Sequence, residues 1–410
     1  MSKFNINLHE AIYSLSDALD LVGVDHVHHG KRVAFMAAEC GKALNWSDQK
    51  IDDLFQAAIL HDCGVSTTAV HAKLAQFEWE REKEHCKLGA NILQATPVLS
   101  HLSDIILYHH THWSDLKTLD IPEDIKLKAN CIYMVDRVDV SVLGFVSNEA
   151  NILLGKEEIR QKIADKKNDW FNPDLVDVFM QVSNSDAFWL SLEREHISGY
   201  VSTWVAHDLT QEIDFNDLKS IVQIFSYIVD AKSTYTSEHS EGVACLSRYL
   251  AERFNLPEEN CDLIELAGLL HDIGKLRVPD EIIEKPSKLT DIEYQTMKRH
   301  SFDTYNILKQ VKGFEQISQW AADHHERVDA TGYPNHKGKK DLSIEARIIA
   351  VADVFQALAQ SRPYRKDLPP AEILSILKQQ AHTGHLDKGI VKMVETYLVE
   401  CWEKAMLQTN

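Results

Sequence analysis

Seven side chains in the second half of this sequence are of the kinds that hold metal ions: His239, His271, Asp272, His300, His324, His325 and Asp353. All offer nitrogen or oxygen. Imidazole with carboxylate suits iron, manganese, zinc or nickel, and the lack of cysteine among them argues against a structural zinc. Seven donors are too many for one ion and about right for two ions sharing a carboxylate. The adjacent pairs His271-Asp272 and His324-His325 let one turn of chain serve both ions. Two ions a few Å apart clamp a phosphoryl group and lower the pKa of a water between them. Lys275, three residues after Asp272, would share the metal face of a helix and put positive charge on a transition-state oxygen. Arg362 and Arg365 flank Pro363-Tyr364 beyond Asp353, and arginine pairs bidentately with phosphate. These residues point to metal-assisted phosphoester hydrolysis.

The same pattern is written twice. Residues 51–65 read IDDLFQAAILHDCGV and residues 261–275 read CDLIELAGLLHDIGK, 210 positions on. The same shift carries His29 onto His239 and His61-Asp62 onto His271-Asp272. At a shift of 215, His85 falls on His300 and His109-His110 on His324-His325; Asp136 falls on Asp353 at 217. One HD pair means little, but an ordered set recurring at a nearly constant offset marks a duplicated domain. Histidine is a poor core residue unless paired, which disfavours a purely structural reading.

Both copies must be helical to position these groups. Ile264, Ala267 and Leu270, like Ile348, Val351, Val354 and Leu358, follow three-and-four spacing. No convincing series of alternating strands is present, so the expected class is all-α, as two tandem helical domains over residues 1–205 and 206–410. The junction, residues 206–217 (AHDLTQEIDFND), has no Pro or Gly hinge and predicts a rigid, helical connection.

A chain of 410 residues is long for one core and right for two domains, and 44% apolar with 26% charged residues is globular. Forty-three basic against 62 acidic residues leave a net charge of −19, which disfavours long nucleic acid and anionic membrane surfaces as partners. A small phosphorylated ligand is still allowed, since a basic pocket can sit in an acidic protein. No signal-peptide pattern opens the sequence and no apolar run spans a bilayer. The seven cysteines are scattered, with no CxxC, and read as reduced thiols in a cytoplasmic protein, not as a thiolate zinc site.

In order along the second copy stand HDIGK (residues 271–275), His300, HHERVDATGYP (324–334) and IIAVADVFQAL (348–358). Together they resemble the HD-GYP family of helical phosphodiesterases that hydrolyse bacterial cyclic dinucleotides. The resemblance covers roughly residues 221–400. It implies that the seven donors hold the metals, with Asp272 bridging, and that Lys275 contacts phosphate. It also implies that Gly332-Tyr333-Pro334 form the family's loop, and that Arg362 and Arg365 hold substrate phosphate. The implied substrate is a 3′,3′-cyclic dinucleotide, cyclic di-GMP or cyclic GMP-AMP, opened to a linear 5′-phosphorylated dinucleotide or mononucleotides. The implied cofactors are two divalent ions, iron first and manganese next, and a homodimer is left open. Two departures stand out. Ala330 replaces the glycine usual two residues before GYP, and Tyr235 stands where three-metal members carry glutamate, which favours two ions. The rivals are a nucleotide-hydrolysing HD phosphohydrolase and a receptor that binds cyclic dinucleotides without cutting them.

The first copy keeps His29, His61, Asp62, His85, His109, His110 and Asp136 as a second candidate metal site. It has Val65 in place of Lys275, no GYP, and no paired arginines after Asp136. Three readings compete: a metal-binding regulatory or dimerisation domain, a hydrolase of altered specificity, or histidines and aspartates kept only as structural hydrogen-bonding groups. Loss of phosphate-holding cations removes transition-state stabilisation, which ranks the regulatory reading first.

Overall fold

The computed structural model of the chain describes residues 3–21, 28–65, 83–146, 151–207, 210–231, 238–360 and 367–408. It divides into two compact units. The N-terminal unit runs Leu8–Leu209, and the C-terminal unit joins Met1–Asn7 to Thr210–Asn410. Both are helical. No helix among the described residues is long and apolar enough to cross a membrane.

The C-terminal unit is built around the helix Glu258–Leu270. Every residue from Cys261 to Leu270 is buried, so this helix has to be surrounded on all sides. Helices Phe215–Ala231, His239–Arg253, Glu315–Ala322 and Ile344–Ala359 pack around it. Two acids are buried with it, Asp262 and Glu265, and buried carboxylates are costly unless paired. The Arg248 guanidinium reaches both, at 2.7 and 3.0 Å, and Lys219 takes the other Glu265 oxygen at 2.6 Å. In the N-terminal unit the helix Asp48–Leu60 has the same place. Its buried half, Leu54 to Leu60, packs on helices Leu8–Asp20, His29–Ala43 and Glu123–Val146. Trp189, Phe179 and Phe171 fill the far part of that unit's core.

The junction is helical only from Phe215 on. Thr210–Asp214 is a strand, paired antiparallel with Lys3–Asn7, with Phe4 opposite Ile213 and Ile6 opposite Gln211. Strands of five residues carry too little alternation to read locally, and the partner lies some two hundred residues away. The chain therefore begins in the C-terminal unit, passes through the whole N-terminal unit, and returns.

Each copy needs a glycine two residues after its HD pair. A Cβ on Gly274 would lie 2.0 Å from the His300 carbonyl oxygen, and one on Gly64 would lie 2.1 Å from that of His85. The turn after the central helix thus sits directly on the helix that carries the next histidine, and Gly274 N–H donates to Thr304 Oγ1 at 3.0 Å. Gly274→Ala is expected to destabilise the C-terminal unit by about 1–3 kcal/mol and to lower its metal content, because Asp272 must shift away from His300. Gly64→Ala is expected to cost a similar amount while leaving turnover largely intact. Thermal denaturation beside metal analysis and activity on both variants checks this.

Candidate metal centres

The C-terminal centre is assembled from helix ends. His239 opens the helix His239–Arg253, and His271 caps the end of the central helix. His300 lies on Asp291–Leu308, His324 and His325 on the short turn Asp323–His325, and Asp353 on Ile344–Ala359. The last carbonyls of a helix have no partner within it. Two histidines use them: His271 Nδ1 donates to Gly268 O at 2.7 Å, and His324 Nδ1 to Ala321 O at 2.6 Å. His300 Nδ1 donates to Met297 O at 2.5 Å, and His239 Nδ1 faces Gln356 Oε1 at 2.6 Å. A carbonyl oxygen only accepts, so the ring proton is on Nδ1 and Nε2 turns a lone pair inward.

Those lone pairs converge on the two oxygens of Asp272. Oδ2 lies 3.4 Å from His271 Nε2 and 3.7 Å from His239 Nε2, while Oδ1 lies 3.6 Å from His300 Nε2 and 3.7 Å from His324 Nε2. Asp353 Oδ1 joins the first group, 3.4 Å from His239 Nε2. The His325 ring is 4.0 Å from that of His324, centroid to centroid. One carboxylate therefore serves two donor groups, His239–His271–Asp353 and His300–His324–His325, each with donor atoms mutually within 4.8 Å.

The donor set fits two cations. His271 Nε2 and Asp272 Oδ1 are buried and have no hydrogen-bond partner among the described residues. His300 Nε2 and His324 Nε2 face each other at 3.3 Å, lone pair to lone pair. Burial, with His325 beside it, holds His300 down at about 3, and burial holds His325 down at about 4, so both rings are neutral near pH 7. Burial also opposes charge on His271, yet the Asp272 and Asp353 carboxylates raise it to about 9.

Lys275 ion-pairs with Asp272 Oδ2, from a 3₁₀ turn rather than the helix its spacing suggested. The GYP segment folds back onto the centre. Tyr333 N–H donates to His325 O at 3.2 Å, its ring lies 4.9 Å from the His325 ring, and a Cβ on Gly332 would lie 2.4 Å from Arg327 N. Pro334 follows through a cis peptide bond. Glu326 holds the loop by accepting Asn335 N–H at 2.6 Å and Lys337 N–H at 3.0 Å. Ala330 takes the left-handed conformation, φ 64°, which glycine adopts more readily. Arg362, Arg365 and Tyr235 lie outside the described residues.

The N-terminal unit repeats the arrangement with changes. Asp62 Oδ2 lies 3.5 Å from His61 Nε2 and 3.6 Å from His29 Nε2, and Oδ1 lies 3.8 Å from His85 Nε2. Asp136 Oδ1 is 3.4 Å from His29 Nε2, and the His110 ring lies 4.4 Å from that of His109, centroid to centroid. Here Arg137, buried, clamps Asp136 Oδ2 at 2.7 and 3.1 Å. His29 Nδ1 is held at 2.7 Å by Asp139, which Arg32 holds in turn. The counterpart of Gln356 is thus a carboxylate. Gln356 and Asp139 are 217 positions apart, the offset of Asp353 and Asp136, and that offset is the signal by which the repeat could have revealed them.

Two helical units, each gathering an HD pair and further histidines around one shared carboxylate, define an HD-domain protein. Residues 27–141 and 223–390 each match the HD domain family. The chain is 35% identical over 96% of its length to 3′3′-cGAMP-specific phosphodiesterase 1 of Vibrio cholerae, covering 92% of that protein. It is 33% identical over 70% of its length to a cyclic di-GMP phosphodiesterase of Pseudomonas aeruginosa, covering 65% of it. The crystal structure of a cyclic GMP-AMP specific phosphodiesterase from V. cholerae superposes with a TM-score of 0.63 at 25% identity, over 99% of both chains. The chain belongs to the HD-GYP family of cyclic-dinucleotide phosphodiesterases.

Gln356 was not legible as a site residue, and it orients His239 from the Nδ1 side, away from the Asp272 carboxylate. Gln356→Ala is expected to weaken metal binding by about 10–100-fold, and Gln356→Glu, which keeps an acceptor, to retain it. Metal content after graded chelation, measured on folded protein, distinguishes the two.

Proposed function

We propose that the C-terminal unit hydrolyses 3′,3′-cyclic dinucleotides in bacterial second-messenger signalling, with cyclic GMP-AMP ahead of cyclic di-GMP. The order of substrates follows the full-length similarity to the V. cholerae enzyme named for that activity. The observation that carries the reading is the division of Asp272 between two groups of inward-facing histidines. In this reading His239, His271, Asp272 and Asp353 hold one divalent ion, and Asp272, His300, His324 and His325 hold the other. Iron is the first choice and manganese the second, since histidine and carboxylate accept both. Bound ions supply Lewis acidity and an activated water.

The chain's own groups do the rest. Lys275, already beside the shared carboxylate, supplies positive charge to a phosphoryl oxygen as negative charge grows there. Gly332, Tyr333 and Pro334 wall the centre on the His325 side, and Arg362 and Arg365 hold substrate phosphate. The products are a linear 5′-phosphorylated dinucleotide and, after a second cut, mononucleotides. The N-terminal unit is regulatory: it has Val65 for Lys275, and its Asp136 is engaged by Arg137. All seven cysteines are free, which suits a reducing compartment, and the cytoplasm is the proposed location.

The test is hydrolysis of every 3′,3′-cyclic dinucleotide, and of nucleoside triphosphates, by protein purified without oxygen and assayed for metal. Cleavage of cyclic GMP-AMP is expected. Activity on triphosphates alone, or tight binding of cyclic dinucleotides with no turnover by the metal-loaded protein, overturns the proposal. His271→Ala with Asp272→Ala is expected to lower turnover by at least about 10²–10³-fold, whereas His61→Ala with Asp62→Ala leaves most of it. The reverse result would move the reaction to the N-terminal unit.

A further inference from the structure

Cys86 follows His85 in the N-terminal unit, where Ser301 follows His300 in the other. It is 1% exposed, and its Sγ lies 3.5 Å from His85 Nε2 and 4.0 Å from His109 Nε2. His109 Nδ1 donates to Ile106 O at 2.6 Å, so its Nε2 turns a lone pair toward the sulfur. Asp62 Oδ1 lies 3.8 Å from His85 Nε2, is buried, and has no hydrogen-bond partner among the described residues. Two nitrogens and one sulfur thus lie mutually within 4.8 Å, with a buried carboxylate oxygen beside one of the nitrogens.

The Cys86–His85 separation is that of a tetrahedral site, and the Cys86–His109 separation is a little longer. Bonds of about 2.3 Å to sulfur and 2.0–2.1 Å to nitrogen, at tetrahedral angles, put sulfur about 3.5 Å from each nitrogen. The other half of this centre has changed in the opposite sense. Asp136 has Oδ2 under the buried Arg137 guanidinium, which sets a fixed positive charge beside that half of the centre, while Oδ1 still faces His29. A soft donor has been added on one side and a cation on the other.

We propose that the N-terminal unit holds a thiophilic divalent ion of the zinc class through Asp62, His85, Cys86 and His109. Cys86 releases its thiol proton to solvent as the ion binds and coordinates as thiolate. Four protein ligands close the coordination sphere, which is the pattern of a structural centre and not of a hydrolytic one. The C-terminal centre has no sulfur among its donors, so the two units of one chain select different metals.

Cobalt(II) tests this without reference to turnover. Apoprotein prepared with chelator and reloaded with cobalt under nitrogen is expected to show a thiolate-to-cobalt charge-transfer absorption in the near ultraviolet. Cys86→Ser, which installs the residue found in the other copy, is expected to abolish that band and to lose one equivalent of cobalt on dialysis. The ligand-field absorption of the C-terminal site should remain. Cys245→Ser, at the least buried cysteine, should leave the band unchanged. Cobalt-loaded wild-type protein without the band, or a band that survives Cys86→Ser, overturns the proposal. Because the wild-type spectrum alone can do so, the outcome does not depend on the variant folding. Loss of phosphodiesterase activity, by contrast, bears only on the C-terminal unit.

Discussion

The hydrogen bond from a histidine Nδ1 to the carbonyl three residues earlier organises both centres. It joins two needs. A helix end leaves carbonyls unmatched, and a metal-binding imidazole needs its second nitrogen occupied so that the first is a lone pair of fixed direction. His61 with Ala58, His109 with Ile106, His271 with Gly268 and His324 with Ala321 each meet both needs at once. The cost of ordering these rings is borne by bonds that the helices would otherwise leave to water. The ligand frame therefore persists wherever the helix ends persist, even in a copy that has shed its lysine and its loop.

The two copies show how such a frame diverges while its geometry stays put. The carboxylate between the two histidine groups is divided the same way in both. What differs is charge one step further out. His239 leans on a neutral amide, Gln356, and His29 on the Asp139 carboxylate, itself paired with buried Arg32. Asp353 and Asp136 each turn Oδ1 to the first histidine, but Asp136 also carries Arg137 on Oδ2. Burial makes each of these exchanges count, because a fixed charge in a dry setting is felt far more strongly than one in water.

Much of this was legible in the sequence, for a physical reason. Metal donors tolerate almost no substitution in type, so seven His and Asp positions recur in order across the duplication, and the structure gathers both sets. The three-and-four spacing around Ile264 and Ile348 likewise read as helix because those faces are buried. The residues that support the donors were harder to read. Glutamine, arginine and aspartate at positions 356, 137 and 139 look like ordinary helix surface until the fold turns them inward. A His-Cys dipeptide gives no hint that its sulfur lies beside a histidine 23 residues further on. The strand pair escaped notice because neither partner means anything without the other.

That strand pair has a consequence for how the molecule is made. The strand Lys3–Asn7 is made some two hundred residues before its partner, Thr210–Asp214. At roughly 5–20 residues per second, it waits on the order of 10–40 s while the entire N-terminal unit is synthesised and folds. Closing so long a loop is cheap when the intervening chain is already compact, since the entropic cost rises only with the logarithm of length. The C-terminal unit is therefore not an independent cassette: severed at residue 210, it would present an unpaired sheet edge, open to any passing strand.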